Sequence, residues 1–333
     1  MRWGLIGAST IAGQHMIGAI RATGGEVAAV VSTTAARARD YAGKHGIPAA
    51  GDRLSLVLED PAIGAVYISS TNEKHLAQAL AAISAGKHVI CEKPLAMTVA
   101  EAAQMVRAAE GAGVVFATNH HLRCSGSHRA VRDLIATGRI GRVLSLRLFH
   151  AVHLPPHLQG WRINDPSAGG GVIPDITVHD ADVARFLLGE DPVAVAAQMG
   201  ASGMGQGVED SAMSVWMMPS GAMVQAHESF THPFAGSGLE VHGDKGSIFA
   251  RGVMTQLPVG EVELVTEAGR EAVPFAAHNL YVQGVSDFLA AVAGRGQPAA
   301  TGWDGVASLA VALAVREAAR TGIRQVVDYG RAA

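Results

Sequence analysis

The first 120 residues alternate short apolar runs with alanine-rich helical stretches, and that order admits few folds. Strand-like runs occur at Trp3–Ile6, Glu26–Val31, Ala65–Ser69, His88–Cys91 and Val114–Thr118. Helical patterns lie between them at Ile11–Arg21, Ala35–His45, Lys74–Ala85 and Val99–Ala112. Nearly continuous apolar strands are buried on both faces, so the order predicts a parallel sheet wrapped by helices. Such a sheet binds its ligands at the carboxyl ends of its strands.

Beyond about residue 122 the texture changes. A helical stretch, Ser127–Thr137, ends at Gly138–Gly141. Alternating runs follow at Val143–Ala151, Val193–Met199, Ser211–Met217, Ala222–Phe230, Leu239–His242, Ser247–Ala250 and Val262–Val265. They predict a mostly antiparallel sheet, with Ala201–Gly207 as a hairpin connection. Helical stretches at Tyr281–Ala293 and Asp304–Arg320 close the chain. The expected division is residues 1–121 and 122–333, with the closing helices able to pack back on the first domain. A 49% hydrophobic content can fill two cores, and a net charge of −3 argues against nucleic acid or an anionic membrane as partner. Two cysteines, with no leader and no membrane-length apolar run, predict a cytoplasmic protein.

The run Gly7-Ala8-Ser9-Thr10-Ile11-Ala12 follows the first strand and fits G-x-G-x-x-A, except that Ser9 replaces the second glycine. Gly7 permits the tight turn, Ala12 permits close packing, and the helix amides face a pyrophosphate. The Ser9 hydroxyl offers a further donor. An NAD site wants an acid near the end of the second strand, yet that strand ends Val31-Ser32-Thr33-Thr34, followed by Arg37. Hydroxyls and a guanidinium suit a 2′-phosphate, so NADP is the expected cofactor. Ser70, Thr71 and Asn72 either cap the next helix or line the cofactor, two compatible roles.

Glu92-Lys93-Pro94 ends the strand His88–Cys91 and puts one of five lysines at the ligand edge. The Lys93–Pro94 bond is open to either isomer. Downstream, Gly169-Gly170-Gly171 leads into Pro174-Asp175-Ile176-Thr177-Val178-His179. If Pro174 opens a helix, Asp175 and His179 lie one turn apart on one face. Together these motifs suggest hydride transfer to or from a carbon that carries oxygen, which needs a proton donor or acceptor, and His179 is the first choice. Lys93 would favour the developing alkoxide, and Asp175 would hold the imidazole or a substrate hydroxyl. Fifteen histidines invite a metal reading around His150, His153 and His157. Strand alternation sends His150 and His153 to opposite faces, so no metal is expected.

These motifs, with Ser70–His75, Gly138–Gly141 and Gly243-Asp244-Lys245-Gly246, resemble the glucose–fructose oxidoreductase / inositol dehydrogenase / rhizopine-catabolism (Gfo/Idh/MocA) family. Thr71 departs from a proline common there. The resemblance implies a Rossmann domain followed by an α/β domain with a large open-faced sheet. It also implies NADPH-dependent reduction of a ketone on a sugar-like ring. The catalytic residues carried over are Lys93, Asp175 and His179. Cofactor contacts are expected from Gly7–Ile11, Ser32, Thr33, Arg37, Ser70–Asn72 and His75. Glu92, Lys93, Asn119, Trp161, Arg162 and Tyr281 complete that set. Substrate contacts are expected from His120, His157, Trp161, Asp175 and His179. An open sheet would offer a surface to a second copy. Oxidation of inositol or another polyol is the alternative enzyme reading. A non-catalytic NADP sensor is the alternative from another class, and it has no need of all three catalytic residues.

Overall fold

The computed structural model describes residues 1–330. They form two compact units, Met1–His120 with Tyr281–Val306, and His121–Leu280 with the chain from Ala307 onward.

The first unit is built on six parallel strands: β1 (Arg2–Ile6), β2 (Glu26–Val31), β3 (Ala49–Gly51), β4 (Ile63–Ile68), β5 (His88–Cys91) and β6 (Phe116–Thr118). Their order is β3-β2-β1-β4-β5-β6, so the chain reverses direction across the sheet on either side of β1. The connecting helices are α1 (Ile17–Ala22), α2 (Ala35–His45), α3 (Ser55–Leu58), α4 (His75–Ser84) and α5 (Val99–Ala112). Local chemistry sets their ends. Thr34 caps α2 by accepting from the Arg37 amide, and Thr98 with Glu101 forms a reciprocal capping box on α5. The short β3 and α3 escape the sequence pattern because three or four residues cannot establish a period.

The second unit starts with α6 (Gly126–Ala136), β7 (Val143–Ala151) and α7 (Val178–Leu188). Next come β8 (Ala194–Gly200), β9 (Ser211–Met217), β10 (Met223–Ser229), β11 (Gly238–Gly243), β12 (Gly246–Arg251), β13 (Glu261–Thr266) and β14 (Gly269–Ala272). Of the last helices, α8 (Leu280–Val292) lies in the first unit except for Leu280, where Phe288 packs on Trp3 with ring centres 5.4 Å apart. Helix α9 (Gly302–Thr321) continues into the second unit, and β15 (Gln325–Val326) ends the described chain.

The nine strands run β14-β13-β12-β11-β7-β10-β9-β8-β15. Every pairing is antiparallel except β7 with β10. Alternation is strict on β9, where Ala212, Ser214 and Trp216 are buried while Met213, Val215 and Met217 are exposed. One face of the sheet therefore enters the core and the other stays open.

The loop between β8 and β9 is the predicted hairpin connection, and a single carboxylate organises it. Asp210 is fully buried and accepts from the amides of Ser202, Gly203, Met204 and Gly205 at 2.7–3.0 Å, and from the Ser202 hydroxyl at 2.9 Å. Burial pushes its acidity constant up, but these donors outweigh burial and hold it at about 2. The lowered value makes the ionised form a source of stability above the ordinary aspartate range. That contribution is worth about 2–3 kcal/mol and disappears as pH falls from about 4 through about 2. Asp210→Asn, which turns an amide donor toward backbone donors, should destabilise the fold by about 2–4 kcal/mol at pH 7. Urea unfolding at pH 7 and pH 2.5 checks this: the gap between wild type and variant should narrow at the lower pH.

Candidate functional site

At the carboxyl edge of the first sheet, Gly7 takes φ +114°, and a Cβ there would lie 2.8 Å from the main chain of Ser69 and Ser70. The turn after β1 is thus pressed directly against the turn after β4. The Gly7 amide donates to Val31 O and the Ser69 amide to Ile6 O, which ties three strand ends together. A wide π-type turn, Ala12–Met16, precedes α1. Ser9 acts as a cap: its hydroxyl accepts from the Ala12 amide at 3.1 Å and donates to the Ser69 hydroxyl at 2.7 Å. The hydroxyl available to a phosphate in the sequence reading is therefore engaged in the protein.

Arg37 crosses from α2 to the same turn and donates to Ala8 O at 3.1 Å. A guanidinium has further donors for an anion beside that carbonyl. Ser32 and Thr33 lie between β2 and α2, with Thr33 exposed. Tyr41 donates to Ser9 O at 2.9 Å, and burial raises its phenol to about 12, so it remains a donor at neutral pH. A glycine turn, a helix start and a nearby arginine fit the phosphates of a dinucleotide.

The turns after β4 and β5 are joined by His75. Its ring lies between Pro94 O at 2.9 Å and Ser70 O at 3.2 Å. Full burial lowers its basicity and favours a neutral ring, which can donate to only one carbonyl. Ser70 donates to Gln78 and Thr71 to Glu73, while Asn72 is buried. Lys93 follows β5, half-buried, and its bond to Pro94 is cis. Beside it, Glu92 accepts from the Tyr67 hydroxyl and from Asn119 Nδ2. Burial, then the Glu92 charge, push the Tyr67 phenol far up, so it stays protonated. Tyr281 is buried and stacks on His15 with ring centres 4.6 Å apart. Sequence reasoning missed Tyr67 and His15. One reads as an ordinary strand residue and the other as a helix residue, and only the packing reveals them.

In the second unit, the glycine run forms a seat. The Gly170 and Gly171 amides donate to Asp165 O and Arg162 O, and a Cβ on Gly170 would lie 2.6 Å from Trp161 O. The turn Gly160–Ile163 packs against that seat. Arg162 lies over the Trp161 ring at 4.7 Å and donates to Asp175 Oδ1 at 3.4 Å. Trp161, Arg162 and Asp175 are therefore brought together, whereas His157 is exposed on its own turn. Pro174 does open a helix, but through a π-type turn, Ile173–Thr177, before α7. Such turns recur at functional sites. In this protein one holds Asp175 and the other follows the Gly7 turn.

His179 is buried on α7, with His121 edge-on at 5.0 Å between ring centres and His150 at 6.4 Å. His150 Nδ1 meets Asp180 Oδ1 at 2.9 Å, while His153 is exposed and bridges to Thr231. Asp182 pairs with Arg123 at 2.7 Å. His120 is buried in the first unit. Sequence reasoning assigned no role to His121, Asp180 or the buried Glu228 of β10, since a polar residue within a helix or strand shows no partner until the chain folds.

Residues 1–120 match the family described as "Oxidoreductase family, NAD-binding Rossmann fold", and residues 128–249 match "GFO/IDH/MocA C-terminal domain". The 1,5-anhydro-D-fructose reductase of Ensifer adhaerens is 55% identical over 330 residues, covering 99% of each chain. The aldose-aldose oxidoreductase of Caulobacter crescentus, solved with glycerol, superposes with a TM-score of 0.89 at 25% identity, covering 98% of this chain and 99% of that one. Levoglucosan dehydrogenase, solved with NADH and levoglucosan, shares the fold at a TM-score of 0.88 and 24% identity, covering 99% of both chains. A nucleotide-binding Rossmann sheet followed by a mixed, mostly antiparallel sheet is the architecture of these proteins, and the chain belongs to the Gfo/Idh/MocA family of oxidoreductases.

Proposed function

We propose that this oxidoreductase uses NADPH to reduce a ketone on a sugar-like ring, with 1,5-anhydro-D-fructose as substrate and 1,5-anhydro-D-mannitol as product. The observation that carries this reading is the 55% identity to a 1,5-anhydro-D-fructose reductase along essentially the whole of both chains. A myo-inositol 2-dehydrogenase of Thermotoga maritima is 27% identical over 328 residues and represents the competing reaction. Cys91 and Cys124 are buried and form no disulfide, which suits a reducing cytoplasm. Among the described residues no helix is long and apolar enough to cross a membrane.

NADPH, when bound, supplies the hydride. Gly7 would let the turn approach the pyrophosphate, and Arg37 would hold the 2′-phosphate with donors not spent on Ala8 O. Ketone reduction develops negative charge on the carbonyl oxygen. His179 donates the proton that quenches it, and the Lys93 ammonium favours its formation. Asp175, held by Arg162, orients a substrate hydroxyl beside Trp161.

Three outcomes test this reading. Arg37→Ala should weaken NADPH binding by about 1–3 kcal/mol and leave NADH nearly untouched, measured by cofactor fluorescence. Equal losses for both cofactors would remove Arg37 from the 2′-phosphate. In a substrate panel, 1,5-anhydro-D-fructose should be reduced faster than open-chain aldehydes. Inositol oxidation without anhydroketose reduction would transfer the assignment to polyol dehydrogenation. His179→Ala should lower kcat by about 10²–10⁴-fold with little change in NADPH affinity. Lys93→Ala should also lower kcat, and the double variant should lose less than the product of the two, because both groups serve one transition state.

A further inference from the structure

Next to His179, α7 carries a second ionisable group that hydride transfer leaves unused. Asp180 and Glu228 are both fully buried. Asp180 contacts His150 Nδ1 at 2.9 Å, and His150 lies opposite Glu228 in the parallel register of β7 and β10. Three titratable groups from β7, α7 and β10 thus converge in the interior of the second unit.

Two ionised carboxylates cannot both be satisfied there. With both charged, Asp180 Oδ2 and the two Glu228 oxygens meet no donor. A buried charge in that state is costly. One proton resolves the conflict. Placed on Glu228, it lets that acid donate to Asp180, and Asp180 remains charged to accept the N–H of His150. Burial raises both carboxyls, but the Asp180 charge raises Glu228 further, whereas His150 draws Asp180 back down. The other groups facing this cluster fit the same state. His128 of α6 is pushed to about 3, mainly by burial, so it is neutral. His121 stands against His179 rather than against the acids.

We propose that Asp180 and Glu228 form a one-proton positioning pair, in which neutral Glu228 holds charged Asp180, Asp180 fixes the ring of His150, and His150 sets the electrostatic surroundings of His179. The inference rests on His179 being the proton donor. In each turnover His179 gives one proton to the alkoxide and regains one from water, while the pair keeps its single proton throughout.

Full-length wild type, Asp180→Asn, Glu228→Gln and Glu228→Ala test the pair. The infrared spectrum of wild type at neutral pH should contain the C=O band of a protonated carboxylic acid, and that band should vanish in Glu228→Gln. Ring ¹⁵N shifts of His150 in the substrate-free protein should report protonated Nδ1 in wild type and in Glu228→Gln, and a tautomer mixture in Asp180→Asn. Removing the anion disfavours a charged imidazole nearby, so the high-pH limb of the kcat profile should move down by about half a pH unit or more in Asp180→Asn. Glu228→Ala should lower kcat about tenfold or more, and Glu228→Gln, which keeps a donor toward Asp180, should recover most of the loss without moving the limb. Absence of the acid band, or a Glu228→Gln limb displaced as far as that of Asp180→Asn, would overturn the proposal. So would unaltered His150 shifts in a folded Asp180→Asn protein. The infrared and ¹⁵N readouts need no ketone. If they appear in a protein that reduces no ketone, the reductase reading fails and the pair stands. If they are absent from an active reductase, the pair alone fails.

Discussion

The first ligand edge depends on main chain pressed against main chain at Gly7. The turn after β1 touches the Ser69–Ser70 backbone with no room for a side chain between them. Hydrogen bonds from Gly7 to Val31 O and from Ser69 to Ile6 O fix three strand ends by the same contact. Other elements are hung from that point: Ser9 reaches Ser69, Arg37 and Tyr41 return to the turn, and His75 links the Ser70 turn to Pro94. A larger residue at position 7 would have to displace backbone rather than a flexible side chain, so the cost would spread through all of these.

Buried charge is handled differently at each place where it occurs. Lys87 satisfies its ammonium on the carbonyls of Asp60 and Ile63 at 2.7 and 2.8 Å. Arg123 and Asp182 neutralise one another. Asp210 spends its charge on loop amides, which makes it structural. Asp180 and Glu228 together exceed the donors around them, and that excess distinguishes them from the other buried acids. Where the donors match the charge, burial builds a scaffold. Where they fall short, a proton must take part, and the site becomes sensitive to what happens beside it.

Much of the fold was legible in the sequence. The strand patterns at Glu26–Val31, Val143–Ala151 and Ser211–Met217, and the helix patterns at Ala35–His45 and Val99–Ala112, have the bounds of the folded elements. Long runs with one period leave little choice, because burial of one face or of both dictates which residues are apolar. Helix α7 was foreseen only on the condition that Pro174 opened it, and β3, α3, β14 and β15, each of four residues or fewer, escaped altogether. Runs that short cannot establish a period of their own.

The residue types at the chemical positions were likewise set by sequence. A glycine after the first strand, no acid after the second, Lys93 after the fifth, and Asp175 and His179 behind a proline are all properties of the chain order. Tertiary structure decided what those residues are next to. It turned Ser9 into a cap, put Tyr67 and Asn119 on Glu92, laid Arg162 over Trp161 and against Asp175, and surrounded Asp180 with His150 and Glu228. The physical reason is one of range. Periodicity and turn chemistry act over a few residues, whereas the acidity of a buried group depends on which donors and charges the fold brings within hydrogen-bonding distance from remote parts of the chain.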